Sequence, residues 1–147
     1  MKLPSKVKKA LNEFVEACKD KFGRDLISVV LFGSRVKGYA REDSDFDVLV
    51  VVKNLPDVKK RFDLVEDIED RIWNKYKIKI SSILLEPEEI FEPVNPLLFG
   101  VLLGYKVLFG QRNWKNYLGY VKEWVEALNP VYVEGGREWN IKRLIKS

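Results

Sequence analysis

The residues best suited to chemistry lie in one short stretch, residues 31–52, with the sequence LFGSRVKGYAREDSDFDVLVVV. Asp45 and Asp47 lie one residue apart at the start of its apolar run. In an extended strand such residues point to the same face, so the two carboxylates would repel each other unless a cation lay between them. Mg²⁺ prefers oxygen ligands and keeps waters and phosphates around it. The pair therefore predicts a site for Mg²⁺ or Mn²⁺.

A glycine–serine turn upstream of the aspartates predicts the second half of the site. Gly33 permits close approach to the backbone, and a turn of amide groups binds anions. We expect Ser34 and the amides around it to hold the phosphates of a nucleotide. Arg35, Lys37 and Arg41 would add positive charge near the same phosphates. The alternative is a solvated acidic turn before a strand.

The elements that must position these residues alternate between helix and strand. The β-branched runs at 26–32 and 46–52 predict two buried strands that pair like a hairpin, with a functional insertion between them. The alternation predicts a single α/β (α+β) domain over 1–147, with 131–147 as a C-terminal basic tail. The other predicted elements are helices over 5–22, from the turn at 54–57 to about 75, over 95–104 and over 114–128, and strands over 78–85 and 105–109.

Helical spacing identifies candidate core residues. Ser5 is a plausible N-cap of the first helix, and Cys18 on its apolar face is predicted to be a buried small hydrophobe. In the second long helix the predicted apolar stripe includes Phe62. Trp114 is predicted to be core or interface.

The amino-acid composition excludes several classes of function. Without histidine, catalytic triads that need it and zinc sites that use it are excluded. One cysteine permits no intrachain disulfide, which favours a reducing compartment. The N-terminus lacks the apolar core of a signal peptide, and the longest apolar stretch, 96–103, is too short to cross a membrane. We therefore expect a cytoplasmic protein with no membrane partner. The lack of threonine among abundant lysine and glutamate resembles a thermophile's composition.

Gly33-Ser34 with Asp45-Phe46-Asp47 resembles the core motif of the DNA polymerase β-like nucleotidyltransferase superfamily, and residues 33–52 resemble its small prokaryotic branch, the minimal nucleotidyltransferases. The resemblance implies a mixed β-sheet flanked by helices. It also implies Mg²⁺-dependent transfer of a nucleoside monophosphate from an NTP to a hydroxyl. Asp45 and Asp47 would be the catalytic metal ligands, and Gly33, Ser34 and Arg35 the nucleotide contacts. Some members are antitoxins that adenylylate a HEPN-type ribonuclease.

The sequence departs from the family pattern on the next strand, where the family carries a third carboxylate. Ser81 stands at the expected position, and a shift of register by two gives Lys79 or Ile83. A serine binds Mg²⁺ weakly and is a poor base, so we expect slow or absent catalysis. Lys77 and Lys79 share a strand face with Ser81 and either contact phosphates or line an exposed edge.

Three functions therefore stay open. The first is nucleotidyl transfer, of AMP, to a protein or small-molecule hydroxyl. The second is a catalytically weakened nucleotide-binding or antitoxin-type module that partners a HEPN-type protein. The third and least favoured is a nucleic-acid-binding protein that uses the aromatic and basic residues of 131–147. A homo-oligomer is compatible with each of them.

Overall fold

The computed structural model describes residues 3–38, 44–90 and 96–128, and for Lys37 and several residues of the last two helices it describes the backbone alone. Arg41 and the predicted tail at 131–147 lie outside these residues. The helices are α1 (Ser5–Phe22), α2 (Ser34–Lys37), α3 (Val58–Tyr76), α4 (Pro87–Ile90), α5 (Pro96–Leu102) and α6 (Gln111–Leu128). The strands are β1 (Leu26–Phe32), β2 (Phe46–Val52), β3 (Ile80–Leu85) and β4 (Tyr105–Phe109).

The four strands form one mixed sheet in the order β3-β2-β1-β4. β1 pairs antiparallel with β2 and with β4, whereas β3 pairs parallel with β2. A parallel pair needs a crossover connection, which α3 supplies. The predicted α+β class, the hairpin-like pairing of β1 with β2 and the edge position of β4 are confirmed.

Each face of the sheet carries its own hydrophobic cluster. On one face α1 and α3 pack against residues such as Val48 and Val50. On the other face α5 and α6 pack against Leu49 and Val51, with Trp114 buried among them as predicted. Strand alternation places Asp45 and Asp47 on the same face as Leu49.

The structure corrects three details of the predicted elements. Pro4, not Ser5, is the N-cap residue of α1, because Ser5 already forms part of the first helical turn. β3 begins at Ile80 rather than at residue 78, since Lys77, the C-cap residue of α3, has a left-handed conformation and the chain must first turn back. Phe62 is 59% exposed and does not belong to the core stripe.

Cys18 lies on the buried face of α1 and is fully shielded from solvent. Burial raises the pKa of its thiol to about 12, because the interior disfavours the charged thiolate. The prediction of a buried small hydrophobe at this position is confirmed.

Candidate functional site

The end of β1 and the start of β2 bring Gly33 and Asp47 into contact. Phe32 is the antiparallel partner of Asp47, so Gly33 follows directly beside that carboxylate. Gly33 has a φ of +85°, and a Cβ at this position would overlap Oδ2 of Asp47. The glycine is therefore required by conformation and by space. Two predicted site residues, separated in sequence, are adjacent in the fold.

β3 supplies the neighbours of the two aspartates on the other side. Ser81 is the parallel partner of Asp47, and the shared register places both side chains on one face of the sheet. Nζ of Lys79 lies 3.9 Å from Oδ2 of Asp45, with the lysine side chain mostly exposed. The neighbouring strand thus offers a hydroxyl beside one carboxylate and an ammonium beside the other.

Arg35 links α2 to the residues just before β2 by hydrogen bonds. Its Nε and Nη2 donate hydrogen bonds of 3.1 and 2.7 Å to the carbonyl oxygen of Ser44, and its guanidinium lies 4.4 Å from the centre of the Phe46 ring. Ser34 opens α2, where its carbonyl accepts the N–H of Gly38. Arg35 therefore holds the chain that carries Asp45, and its predicted phosphate contact stays a prediction.

A cleft of about 730 Å³ begins at Asp45 and passes around the β3 edge to α3. Glu69 of α3 is half-buried in it and accepts a 2.9 Å hydrogen bond from the N–H of Ser82. Burial raises the pKa of the Glu69 carboxyl above its ordinary value. The motif at residues 31–52 does not predict this cleft. Its signal was the spacing of Phe62, Glu66, Glu69 and Trp73, which places them on one helix face.

The carboxylates fit one divalent ion. Asp45 and Asp47 can supply two oxygen ligands, and Mg²⁺ usually takes its others from phosphates and water. A second ion would need a further acid, but Ser81 and Lys79 hold the neighbouring positions. Across residues 3–38, 44–90 and 96–128 there is no group of three or more Cys, Asp, Glu or His side chains that could hold a metal. The described residues do not fit a two-metal site.

Comparison with known proteins assigns the chain to a family. The profile of the family described as "Polymerase beta, Nucleotidyltransferase" matches residues 12–94. This chain belongs to the polymerase β nucleotidyltransferase family. A Methanocaldococcus jannaschii nucleotidyltransferase, named as a candidate protein adenylyltransferase, is 44% identical over 140 residues, which span 92% of this chain and 94% of that protein. A second protein of the same organism and the same kind of name is 40% identical over 83 residues, 56% of this chain and 76% of its own length.

Solved structures confirm the nucleotidyltransferase fold. A toxin–antitoxin structure with AMP-PNP superposes with a TM-score of 0.55 at 17% identity, over 80% of this chain and 86% of that one. A tri-AMPylated Shewanella oneidensis HEPN toxin in complex with its MNT antitoxin gives 0.54 at 16% identity, over 83% and 88%. At this level of identity the likeness establishes the shared fold.

Among the residues that the structure describes, every helix is too short or too polar to span a bilayer.

Proposed function

We propose that this nucleotidyltransferase transfers AMP from ATP to a hydroxyl group of a protein. The observation that carries the proposal is the contact between Gly33 and Asp47, which brings the turn predicted to bind phosphates against the carboxylate pair. The names of the Methanocaldococcus relatives support adenylyl transfer and a protein acceptor. A small-molecule hydroxyl is the other acceptor class.

In the proposed reaction the acceptor oxygen bonds to the α-phosphorus of ATP, the bond to the bridging oxygen breaks and pyrophosphate leaves. One Mg²⁺ ion, held by Asp45 and Asp47, would neutralise charge on the triphosphate. The turn at Gly33 and Ser34 would orient the phosphates through its amides. The ammonium of Lys79 offsets part of the negative charge of the carboxylates.

The step that this arrangement supports least is removal of the proton from the acceptor hydroxyl. Ser81 cannot serve as a base near neutral pH, since a serine hydroxyl does not ionise there. The proton would pass to water, which removes one source of rate enhancement. We therefore expect slow transfer.

The second candidate, a weakened nucleotide-binding antitoxin-type module that partners a HEPN-type protein, is favoured by the same serine. Two carboxylates and the glycine turn suffice to bind ATP with one metal ion, even where transfer fails. The toxin–antitoxin neighbours suggest the kind of partner.

The test is incorporation of label from α-phosphate-labelled ATP into protein of an extract of the expressing cells, with ATP affinity measured in parallel. Asp45→Asn and Asp47→Asn should each reduce labelling about a hundredfold or more, because each removes a charged metal ligand. Asp63→Asn, an exposed change on α3, is the matched control and should label like the wild type. Wild-type protein that binds ATP but transfers no label would refute the enzyme and leave the binding module.

A further inference from the structure

The outward face of α3 carries an unusual set of side chains. Phe62, Glu66, Glu69 and Trp73 follow one another at intervals of four, three and four residues, which places them in one row. The two aromatic side chains that end the row are 59% and 46% exposed. The buried residues of the helix, Val65, Ile68 and Ile72, lie on a different face. The row is therefore not an extension of the core.

The opposite wall of the cleft is an edge strand. Within the described part of the chain, β3 has a strand neighbour on one side only. On its other side, two backbone groups of β3 form hydrogen bonds with side chains. The N–H of Ser82 donates to Glu69, and the carbonyl of Leu84 accepts a 3.2 Å hydrogen bond from Arg61. Arg61 is itself paired with Glu89 at 2.6 Å. Arg61 thus covers the far end of the edge, and the end near Asp45 lines the cleft.

The charge of the cleft is opposite to that of the whole chain. Among the described residues that line it, carboxylates on Asp45, Glu66, Glu69 and Asp70 outnumber the ammonium of Lys79, in a chain of net charge +4. Such a surface attracts cations and repels polyanions such as nucleic acid. Partial burial also raises the pKa of the Glu69 carboxyl, so a cation beside its carboxylate would be favourable.

The dimensions of the cleft fit a short extended chain. Phe62 and Trp73 are eleven residues apart, which is about 16 Å along a helix. An extended peptide covers that length with about five residues. Exposed aromatic rings at both ends can stack on guanidinium groups, and an edge strand can bond to a peptide backbone.

We propose that this cleft, the row from Phe62 to Trp73 together with the β3 edge, binds an extended arginine- or lysine-rich segment of the acceptor protein. The cleft opens at Asp45, so a hydroxyl-bearing residue of the bound segment is led to the proposed transfer site. The acceptor role rests on the proposed function, whereas the binding of a basic segment stands on the cleft alone.

The experiment uses a fluorescein-labelled peptide of alternating arginine and leucine around one tyrosine, and a twin with glutamate in place of arginine. Fluorescence anisotropy with the full chain should show binding of the arginine peptide alone, weakened by salt. The double variant Glu66→Lys with Asp70→Lys should bind it about tenfold more weakly. The matched control, Asp20→Lys with Glu123→Lys, makes the same charge change at exposed positions of α1 and α6 outside the cleft and should stay within about twofold of wild type.

Equal binding by the two double variants, equal binding of the two peptides, or no binding of the arginine peptide at about 1 mM would each overturn the proposal. A second variant, Phe62→Ala with Trp73→Ala, tests the stacking and should weaken binding several-fold, since both side chains are exposed and their loss spares the core.

ATP affinity, measured in the same samples, keeps this proposal separate from the proposed function. The Glu66→Lys, Asp70→Lys variant should bind ATP like the wild type. If peptide binding behaves as expected while Asp47→Asn leaves labelling intact, the basic-segment site stands and the proposed function fails. If labelling depends on Asp47 while peptide binding is unchanged in the cleft variants, the proposed function stands and the basic-segment site fails.

Discussion

β2 and β3 pair in parallel register, yet the side chains at the starts of the two strands differ in chemistry. Asp47 on β2 and Asp45 just before it carry carboxylates, whereas Ser81 on β3 and Lys79 just before it carry a hydroxyl and an ammonium. Farther along, both strands are apolar and pack into the same two clusters. The comparison shows that the buried residues maintain the sheet while a few positions at the strand starts decide what the site can do.

Apart from replacement of the aspartates themselves, Gly33→Ala is expected to have the largest effect, because it crowds Asp47 on β2. The new Cβ would overlap Asp47 Oδ2, and alanine disfavours a φ of +85°. We expect a loss of about 1–3 kcal/mol in the free energy of unfolding and a drop of tenfold or more in labelling, read by urea denaturation and by label transfer.

Gly38→Ala is the matched control for that change. Gly38 has a φ of +89°, but among the described residues, its chain neighbours aside, no atom lies within 4 Å of the place that a Cβ would take, so alanine there tests the conformation without the collision. It should lower stability and leave labelling nearly intact. Equal loss of labelling in both variants would contradict the role given to the Gly33–Asp47 contact.

Ser81→Asp would make β3 resemble β2 by placing a carboxylate beside Asp47. A third acid should raise Mn²⁺ affinity about tenfold and speed transfer, because it adds a charged ligand and a base. Electron paramagnetic resonance of free Mn²⁺ measures the affinity, with Ser81→Asn as the uncharged control. Wild-type protein that transfers as fast as the aspartate variant would show that the third acid is not what limits this site.

Lys79→Gln should give a smaller effect of the same sign. Without the ammonium 3.9 Å from Asp45, nucleotide-free Mn²⁺ binding should tighten about threefold, a modest change because the lysine is mostly exposed and screened by water. Lys77→Gln is the control, since Lys77 lies over the Trp73 ring instead. A decrease in Mn²⁺ affinity would argue against the charge balance proposed for β2 and β3.

The smallest effect is expected at Glu69, an α3 residue whose carboxylate accepts a hydrogen bond from the backbone N–H of Ser82 on β3. Burial raises the pKa of this carboxyl in the folded state, so the folded protein binds the proton more tightly than the unfolded one and loses stability as pH rises past the ordinary glutamate range. Glu69→Gln should therefore raise the melting temperature by about 1–2 °C at neutral pH. The difference should vanish in acid below the ordinary pKa, and a thermal scan across pH that shows the opposite trend would reverse the assignment.

Sequence reasoning could predict the strand pair and which residues lie at its ends, because local signals carry both. The β-branched runs mark β1 and β2, and the glycine turn and aspartates sit at their ends. Phe62 was wrongly assigned to the core, since periodicity alone cannot tell which of two neighbouring helix faces meets the sheet. The contact of Lys79 with Asp45 and the position of the cleft depend on the parallel pairing of β3 with β2. No local sequence pattern specifies that pairing.

Cys18 has a practical consequence for these experiments. Its thiol is buried in the core beneath α1 and stays protonated far above neutral pH, so it should resist maleimides and mild oxidants. The chain has no other cysteine. A cysteine introduced on the outward face of α3 would therefore be the single reactive handle of the native protein, and a fluorophore or spin label could be attached beside the cleft without first removing the natural thiol.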